Sequence, residues 1–359
     1  MRYVSIDILR TVAIVLMVLV HFIENLSGSD WAPAGLGAPL FTFLVGVSYR
    51  LWLDSQETRG VSETDISKIS IRRGLFLFGL GFMFNVLVWL PEDTYNWDVL
   101  TIIGASLLLL NVARNVPLPI SVLIAVLAIL VAPVLRQLAE YDLYWINGYF
   151  ECDLTLPDVL TGFFATGYFP LLPWVAYPLA GYVTAALVFA EPSEPGPTGR
   201  VAITGGVLVV ASVFTLLAQP HATGPFATYV PTGWTMFPPS LAYVLGTLGS
   251  AMLLFALLHR WVDRHPTLAN SNALKVVFTT FSKYSLSIYL LHHVAHLWPM
   301  WIYGASQGQE PTHFWRNAMP SSLAVVLAIL FLLCSFFLFR WMDRTERRGV
   351  EGWMRYLCG

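Results

Sequence analysis

Charge is what this sequence has least of. Asp, Glu, Lys and Arg supply 12% of its residues, about half the roughly 25% of a soluble domain, while 56% are hydrophobic. An ordinary soluble domain is thereby excluded. The net charge is -2, so there is no basic surplus to attract nucleic acid. Cysteine is also scarce. Cys152, Cys334 and Cys358 form no CxxC pair, and neither a disulfide framework nor a thiolate metal site can be read from them. No internal repeat is evident, which weakens an inverted-repeat transporter. The first hydrophobic stretch lacks the marks of a cleaved signal peptide, since Asp7 and Arg10 interrupt it and no clear small-residue cleavage site follows.

What the chain does have is long apolar runs bounded by charge, Pro and Gly. A hydrocarbon core about 30 Å thick asks for runs of about 20 apolar residues, and helices satisfy their own backbone groups there. Ten such spans are read: about 5 to 25, 36 to 54, 72 to 90, 98 to 115, 118 to 138, 166 to 190, 200 to 218, 239 to 262, 279 to 302 and 321 to 343. The fourth and fifth, separated by Asn115, Val116 and Pro117, require a tight turn. Basic residues favour cytoplasmic loops. With the N-terminus inside, all of the 20 Lys and Arg residues except Arg136 and Arg316 fall on the inner side. The expectation is an all-α polytopic bundle of about ten transmembrane helices. It forms a single domain over residues 1–359 in the cell membrane, with both termini cytoplasmic.

Polar residues inside such spans are expensive and are retained when paired, facing a cavity or doing chemistry. The first span holds three: Asp7, Arg10 and His21. Eleven helical steps separate Arg10 from His21, which puts them within roughly 20° on one face and about 16 Å apart along the axis. Asp7 and Arg10 have the spacing of a pair along the helix, and Arg10 could instead snorkel to the headgroups. A second cluster, His292, His293 and His296, falls in the ninth span at about the depth of His21. His292 and His296 share a face at i, i+4, but no HExxH acid lies between them, so zinc is only weakly indicated and no metal is expected. Arg72 and Arg73 open the third span beside Lys68 and Arg50. They obey the positive-inside rule, and with Arg10 they would also suit phosphates. Two prolines in Tyr168-Phe169-Pro170-Leu171-Leu172-Pro173-Trp174 imply a kink or re-entrant piece. The outer loops are rich in acids, aromatics, Gly and Pro, which fits interfacial aromatic belts and also sugar stacking.

Taken together these segments resemble the integral-membrane acyltransferase superfamily. That group includes the acyltransferase-3 enzymes, which O-acylate bacterial surface glycans, and heparan-α-glucosaminide N-acetyltransferase with its prokaryotic relatives. The matching pieces are Arg10 and His21 within Ser-Ile-Asp-Ile-Leu-Arg and Leu-Val-His, then Pro39-Leu40-Phe41-Thr42-Phe43-Leu44-Val45-Gly46, then Arg72-Arg73-Gly74-Leu75. Phe169-Pro170-Leu171-Leu172-Pro173-Trp174 and Ser285-Leu286-Ser287-Ile288-Tyr289-Leu290-Leu291-His292-His293 follow in the family's order. These last two point to the prokaryotic heparan-type branch.

The resemblance implies transfer of an acyl group, often acetyl, from cytoplasmic acyl-CoA to a hydroxyl or amine of a sugar, glycan or lipid-linked acceptor at the outer side. Arg10, Arg72 and Arg73, with Asp7 beside them, would hold the donor's phosphates. His21 would act as general base, with His293 or His292 orienting it or the acceptor, and an acyl-histidine relay stays open. The sequence also departs from the family. The small Ser-Gly pair of the second span is Val45-Gly46 here. The lysosomal enzyme carries its histidine in the loop after the first helix, whereas Ile23 to Gly35 here contains none. Glu24, Asn25 and Asp30 are the polar candidates there, with Trp174 a further acceptor-side candidate. His21 thus follows the acyltransferase-3 arrangement, and a heparan-like amine acceptor is not implied. The oligomeric state is left open, a homodimer being one form. The rival reading is a proton-coupled secondary transporter using the Asp, Arg and His residues.

Overall fold

The computed structural model describes residues 2–89, 91–189, 197–229, 233–264 and 272–359. Its helices are α1 Val4–Ser27, α2 Gly37–Thr58, α3 Glu63–Val88, α4 Val99–Ala113, α5 Leu118–Leu138, α6 Leu156–Thr161, α7 Leu171–Trp174 and α8 Ala176–Val188. They continue as α9 Thr198–Ala218, α10 Leu241–Leu258, α11 Asn272–Lys283, α12 Ser285–Ser306, α13 Ser321–Arg344 and α14 Val350–Cys358. Among the described residues the strands amount to one two-residue pair, Trp145–Ile146 with Tyr149–Phe150. The protein is all-α.

Local chemistry explains where helices start and stop. Ser62 Oγ accepts from Asp65 N at the head of α3, and Asp98 Oδ1 accepts from Leu100 N at the head of α4. Each satisfies a backbone donor that the first helical turn leaves open. α1 ends at Gly28, which takes the left-handed conformation at φ 64° and donates its N–H to Glu24 O. The predicted tight turn between the fourth and fifth spans is present, and α5 opens on Pro117 with a proline in its first turn.

Among the described residues seven helical segments are long and apolar enough to cross a membrane: 4–27, 63–88, 118–138, 156–188, 198–221, 241–263 and 321–344. α4 is apolar but only 15 residues long. α2 and α12 have 22 residues each, but Arg50, Asp54 and Glu57 in one and three histidines in the other dilute their apolar character. Burial divides the spans. In the Thr198–His221 and Ser321–Arg344 segments only 17% and 22% of the apolar stretch is buried, against 56% for α1. The first two therefore present apolar side chains outward, as lipid-facing helices do, and α1 is enclosed by protein.

The chain forms two compact units. The first comprises residues 1–41, 258–357 and 359, and the second 42–257 with Cys358. In the first, α1 packs against α11, α12 and α13. In the second, α3 pairs with α4 and α5 packs on α8. Its core gathers Tyr49, Leu53, Ile66, Leu110, Leu179 and Tyr182.

Two predicted spans are not continuous helices. The sixth, read as 166 to 190, is preceded by α6 and a π turn at Gly162–Thr166, and is itself broken at α7, where Leu172 has the extended angles φ -106° and ψ 124°, before α8 begins. Pro170 and Pro173 remove backbone donors at that point, as the sequence predicts. The ninth divides at Tyr284 into α11 and α12.

Gly46 of the Val45-Gly46 pair explains itself in the second unit. A Cβ there would lie 1.9 Å from Pro178 O, and one on Gly181 would lie 2.0 Å from Phe43 O, so the backbones of α2 and α8 touch. Small residues permit this approach between membrane helices. Gly46→Ala should lower the melting temperature of the detergent-solubilised protein, with about 1–3 kcal/mol lost to overpacking. Gly79→Ala, where a Cβ meets nothing within 4 Å, should leave it unchanged or raise it. Fluorescence-detected size-exclusion thermal scans compare the two.

Candidate active site

α1 places its three ionisable side chains in three settings. Asp7 is buried and accepts a two-point pair from Arg2, at 2.6 Å from Nε and 3.1 Å from Nη2. The spacing points to Arg10 as its partner; the bidentate pair comes instead from Arg2, two residues before the helix starts. Arg10 stays within electrostatic reach of Asp7. It donates from Nη1 to Ser282 Oγ at 2.8 Å and to the Ser282 carbonyl at 3.5 Å. Ser282 lies one turn before α12 begins.

His21 meets α12 directly. Its Nδ1 lies 2.8 Å from His292 Nε2. Arg10 and His21 thus both address the α11–α12 segment, as a shared helix face requires. The rings of His293 and His292 lie 4.5 and 5.1 Å from that of His21, and 4.0 Å from each other. His296 is joined to α1 one turn further on, its Nε2 2.8 Å from Asn25 Nδ2. The histidine cluster from far along the chain therefore closes on the first helix.

Backbone carbonyls fix which nitrogen carries each proton. His292 Nδ1 lies 2.5 Å from Tyr289 O, and His296 Nδ1 lies 2.6 Å from His292 O. A carbonyl oxygen only accepts, so both Nδ1 atoms donate. With the rings neutral, each Nε2 then offers a lone pair. His296 Nε2 uses its lone pair to accept from the Asn25 amide. His292 Nε2 accepts from His21 Nδ1–H. The remaining nitrogen of His21, Nε2, is thereby left with a lone pair and the character of a base.

The same rings offer one nitrogen each from His21, His292 and His293, all within 4.8 Å of one another. That is a spacing a divalent ion could bridge. Between His21 and His292, however, the facing nitrogens are already joined by a hydrogen bond.

The other predicted residues lie as follows. Glu24 is half-buried, Asn25 is buried and Asp30 is exposed. Arg72, in the second unit, is exposed, and Arg73 is half-buried with its guanidinium 5.0 Å from the centre of the Trp52 ring. Trp174, also in the second unit, is fully buried against Phe169 at 4.8 Å and Tyr177 at 5.4 Å.

One buried cluster escapes a reading of the sequence. Asp263 accepts from Ser5 N at 3.0 Å and Ser5 Oγ at 2.5 Å, and its Oδ2 lies 2.9 Å from His259 Nδ1. His259 and Asp263 span a π turn, His259–Asp263, at the end of the eighth span. Their i, i+4 spacing was the available signal. The carboxylate caps α1 by satisfying an open N–H of its first turn.

Fold and site together define a multi-pass helical membrane protein whose spans carry an oriented histidine pair. Residues 2–212 match the family model described as heparan-alpha-glucosaminide N-acetyltransferase, catalytic, and the chain belongs to that family. The matched region includes Arg10, His21, Arg72, Arg73 and Trp174 and ends before His292 and His293. No curated protein sequence matches the chain.

Because the facing His21 and His292 nitrogens satisfy each other, the purified protein should carry less than stoichiometric transition metal by inductively coupled plasma mass spectrometry. One zinc or copper per chain surviving dialysis against EDTA, and lost in His21→Ala, would contradict the hydrogen-bonded arrangement.

Proposed function

We propose that the protein is an acyl-CoA-dependent acyltransferase that moves an acyl group, acetyl in the family's case, to a hydroxyl or amine of a sugar, glycan or lipid-linked acceptor. His21 is its general base. One observation carries the reading: hydrogen bonds from the Tyr289 carbonyl through His292 to His21 leave Nε2 as the proton-accepting atom. Family membership supports acetyl transfer over the rival transporter.

In this mechanism the acceptor's O–H or N–H donates to His21 Nε2 as its heteroatom attacks the thioester carbonyl. The proton passes to His21, the carbon–sulfur bond breaks, and coenzyme A leaves as the thiolate, which the imidazolium can protonate. General-base catalysis of this kind contributes about 10²- to 10⁴-fold. His292 is a positioning residue, since it holds the ring and the tautomer of His21. His293 packs on both rings and is the further catalytic candidate. An acyl-histidine intermediate would use the same Nε2 atom.

Arg10, near the start of α1, is proposed as a ligand for the donor's phosphates, with Asp7 and Arg2 fixing the charge balance beside it. Arg72 and Arg73 are proposed as phosphate ligands on charge and resemblance, Arg fitting phosphate geometry well. Glu24, Asn25, Asp30 and Trp174 are the proposed acceptor-side residues. The inner-side bias of Lys and Arg supports ten spans in the cell membrane, with both termini cytoplasmic and donor entry from that side.

The test is incubation of purified protein with radiolabelled acetyl-CoA and a lipid or glycan extract. His21→Ala should lower transfer by about 10²- to 10⁴-fold. His292→Phe should lower kcat by at least about tenfold while leaving KM for acetyl-CoA near the wild-type value, the signature of lost transition-state orientation. Transfer untouched by His21→Ala would sink the mechanism.

A further inference from the structure

α14 closes the chain as a short amphipathic helix. Trp353, Tyr356 and Leu357 are 52%, 65% and 59% exposed, and Arg347, Arg348 and Arg355 lie beside them in sequence. A helix that exposes aromatic and leucine side chains next to arginines has the composition of one lying in the membrane–water interface. Its position in the sequence fits. α13 runs apolar from Leu323 to Phe339 and meets its first charge at Arg340, so the chain leaves the apolar layer a few residues before α14 starts.

α14 is tied to α12. Glu351 Oε1 accepts from Ser287 N at 2.8 Å, its Oε2 accepts from Ser287 Oγ at 2.7 Å, and Val350 N donates to Ser287 Oγ at 2.9 Å. Beside this attachment is a groove of about 410 Å³, within the roughly 300–1,000 Å³ of ligand sites. Its walls are Leu290, Leu291, Val294, Phe339, Met342 and Trp353, with Arg348 also lining it. Ser287, Leu290 with Leu291, and Val294 lie on successive turns of α12. The groove therefore leads from the polar start of that helix down along its apolar length.

Arg348 is exposed, and its guanidinium lies 4.7 Å from the centre of the Tyr356 ring. Among the described residues no carboxylate pairs with it, whereas Lys283 and Arg340 both share Asp343. The groove offers an apolar trough and, where the apolar layer ends, a cation without a carboxylate partner.

We propose that this groove binds one anionic phospholipid, with an acyl chain lying along Leu290, Val294 and Phe339 and the phosphate on Arg348. The occupant follows from the two halves of the site. The apolar walls leave a polar ligand almost nothing to bond in the trough, and an interfacial arginine attracts anionic headgroups. The site requires only that the chain reside in a membrane and is independent of acyl transfer.

The experiment is native mass spectrometry of the full-length protein purified in detergent, delipidated, and titrated with phosphatidylglycerol or phosphatidylcholine. The wild type should take up one phosphatidylglycerol at concentrations about fivefold below those needed for phosphatidylcholine, the ratio that about 1 kcal/mol from one arginine implies. Arg348→Glu should abolish that preference, and Val294→Trp, which fills the trough, should abolish uptake of both lipids. Equal uptake of the two lipids by the wild type, or a preference unchanged in Arg348→Glu, would overturn the proposal. Arg348 is exposed, so its variant keeps the test sound should Val294→Trp fail to fold. Lipid uptake is read without turnover, and the outcome is distinguishable from a failure of the acyltransferase reading.

Discussion

The 2.8 Å hydrogen bond between His21 and His292 is the contact on which the proposed chemistry depends. Either imidazole alone in an apolar helix would have two ring nitrogens to satisfy at a high desolvation cost. Joined, they satisfy each other on the facing side, and the Tyr289 carbonyl settles the direction of the bond. The consequence is asymmetric. His292 spends both nitrogens on hydrogen bonds, and His21 keeps the lone pair of Nε2 for its proposed role as a base. A neutral base held in this way needs no nearby carboxylate to orient it.

The bond forms only if α1 and α12 keep their register, and both helices are fixed at their starts by carboxylates from elsewhere in the chain. Asp263 caps α1 through Ser5, and Glu351 caps α12 through Ser287. Asn25 and His296 add a further rung one turn beyond the histidine pair. The helices are thus laced by polar contacts along their length while their remaining surface is apolar. In a membrane, where apolar side chains gain little by preferring one another to lipid, such contacts and close backbone packing specify the arrangement. Gly46 and Gly181 supply the close packing in the second unit.

Much of this was legible in the sequence, because a membrane simplifies the code. The fifth and tenth spans were read as 118 to 138 and 321 to 343, and the helices run 118–138 and 321–344. His21 and His292 were visible as polar residues that an apolar helix does not keep without cause, and the eleven-residue spacing correctly put Arg10 and His21 on one face. The unread parts are tertiary. Nothing local says that Asp263 reaches Ser5 across more than 250 residues, or that Arg10 meets Ser282. The ninth span is read straight through Tyr284, although the polar residues around it, Ser282, Lys283 and Ser285, mark the break between α11 and α12. The π turn at His259–Asp263 leaves no compositional mark.

The proposed chemistry depends on the tautomer of His21. Solid-state ¹⁵N NMR of histidine-labelled protein in lipid, with the His21 signals assigned by their loss in His21→Ala, reads that tautomer directly. The expected result is a neutral ring protonated at Nδ1, with Nε2 unprotonated and shifted on addition of an acyl-CoA analogue. A His21 protonated at Nε2, with Nδ1 accepting from His292, would contradict it.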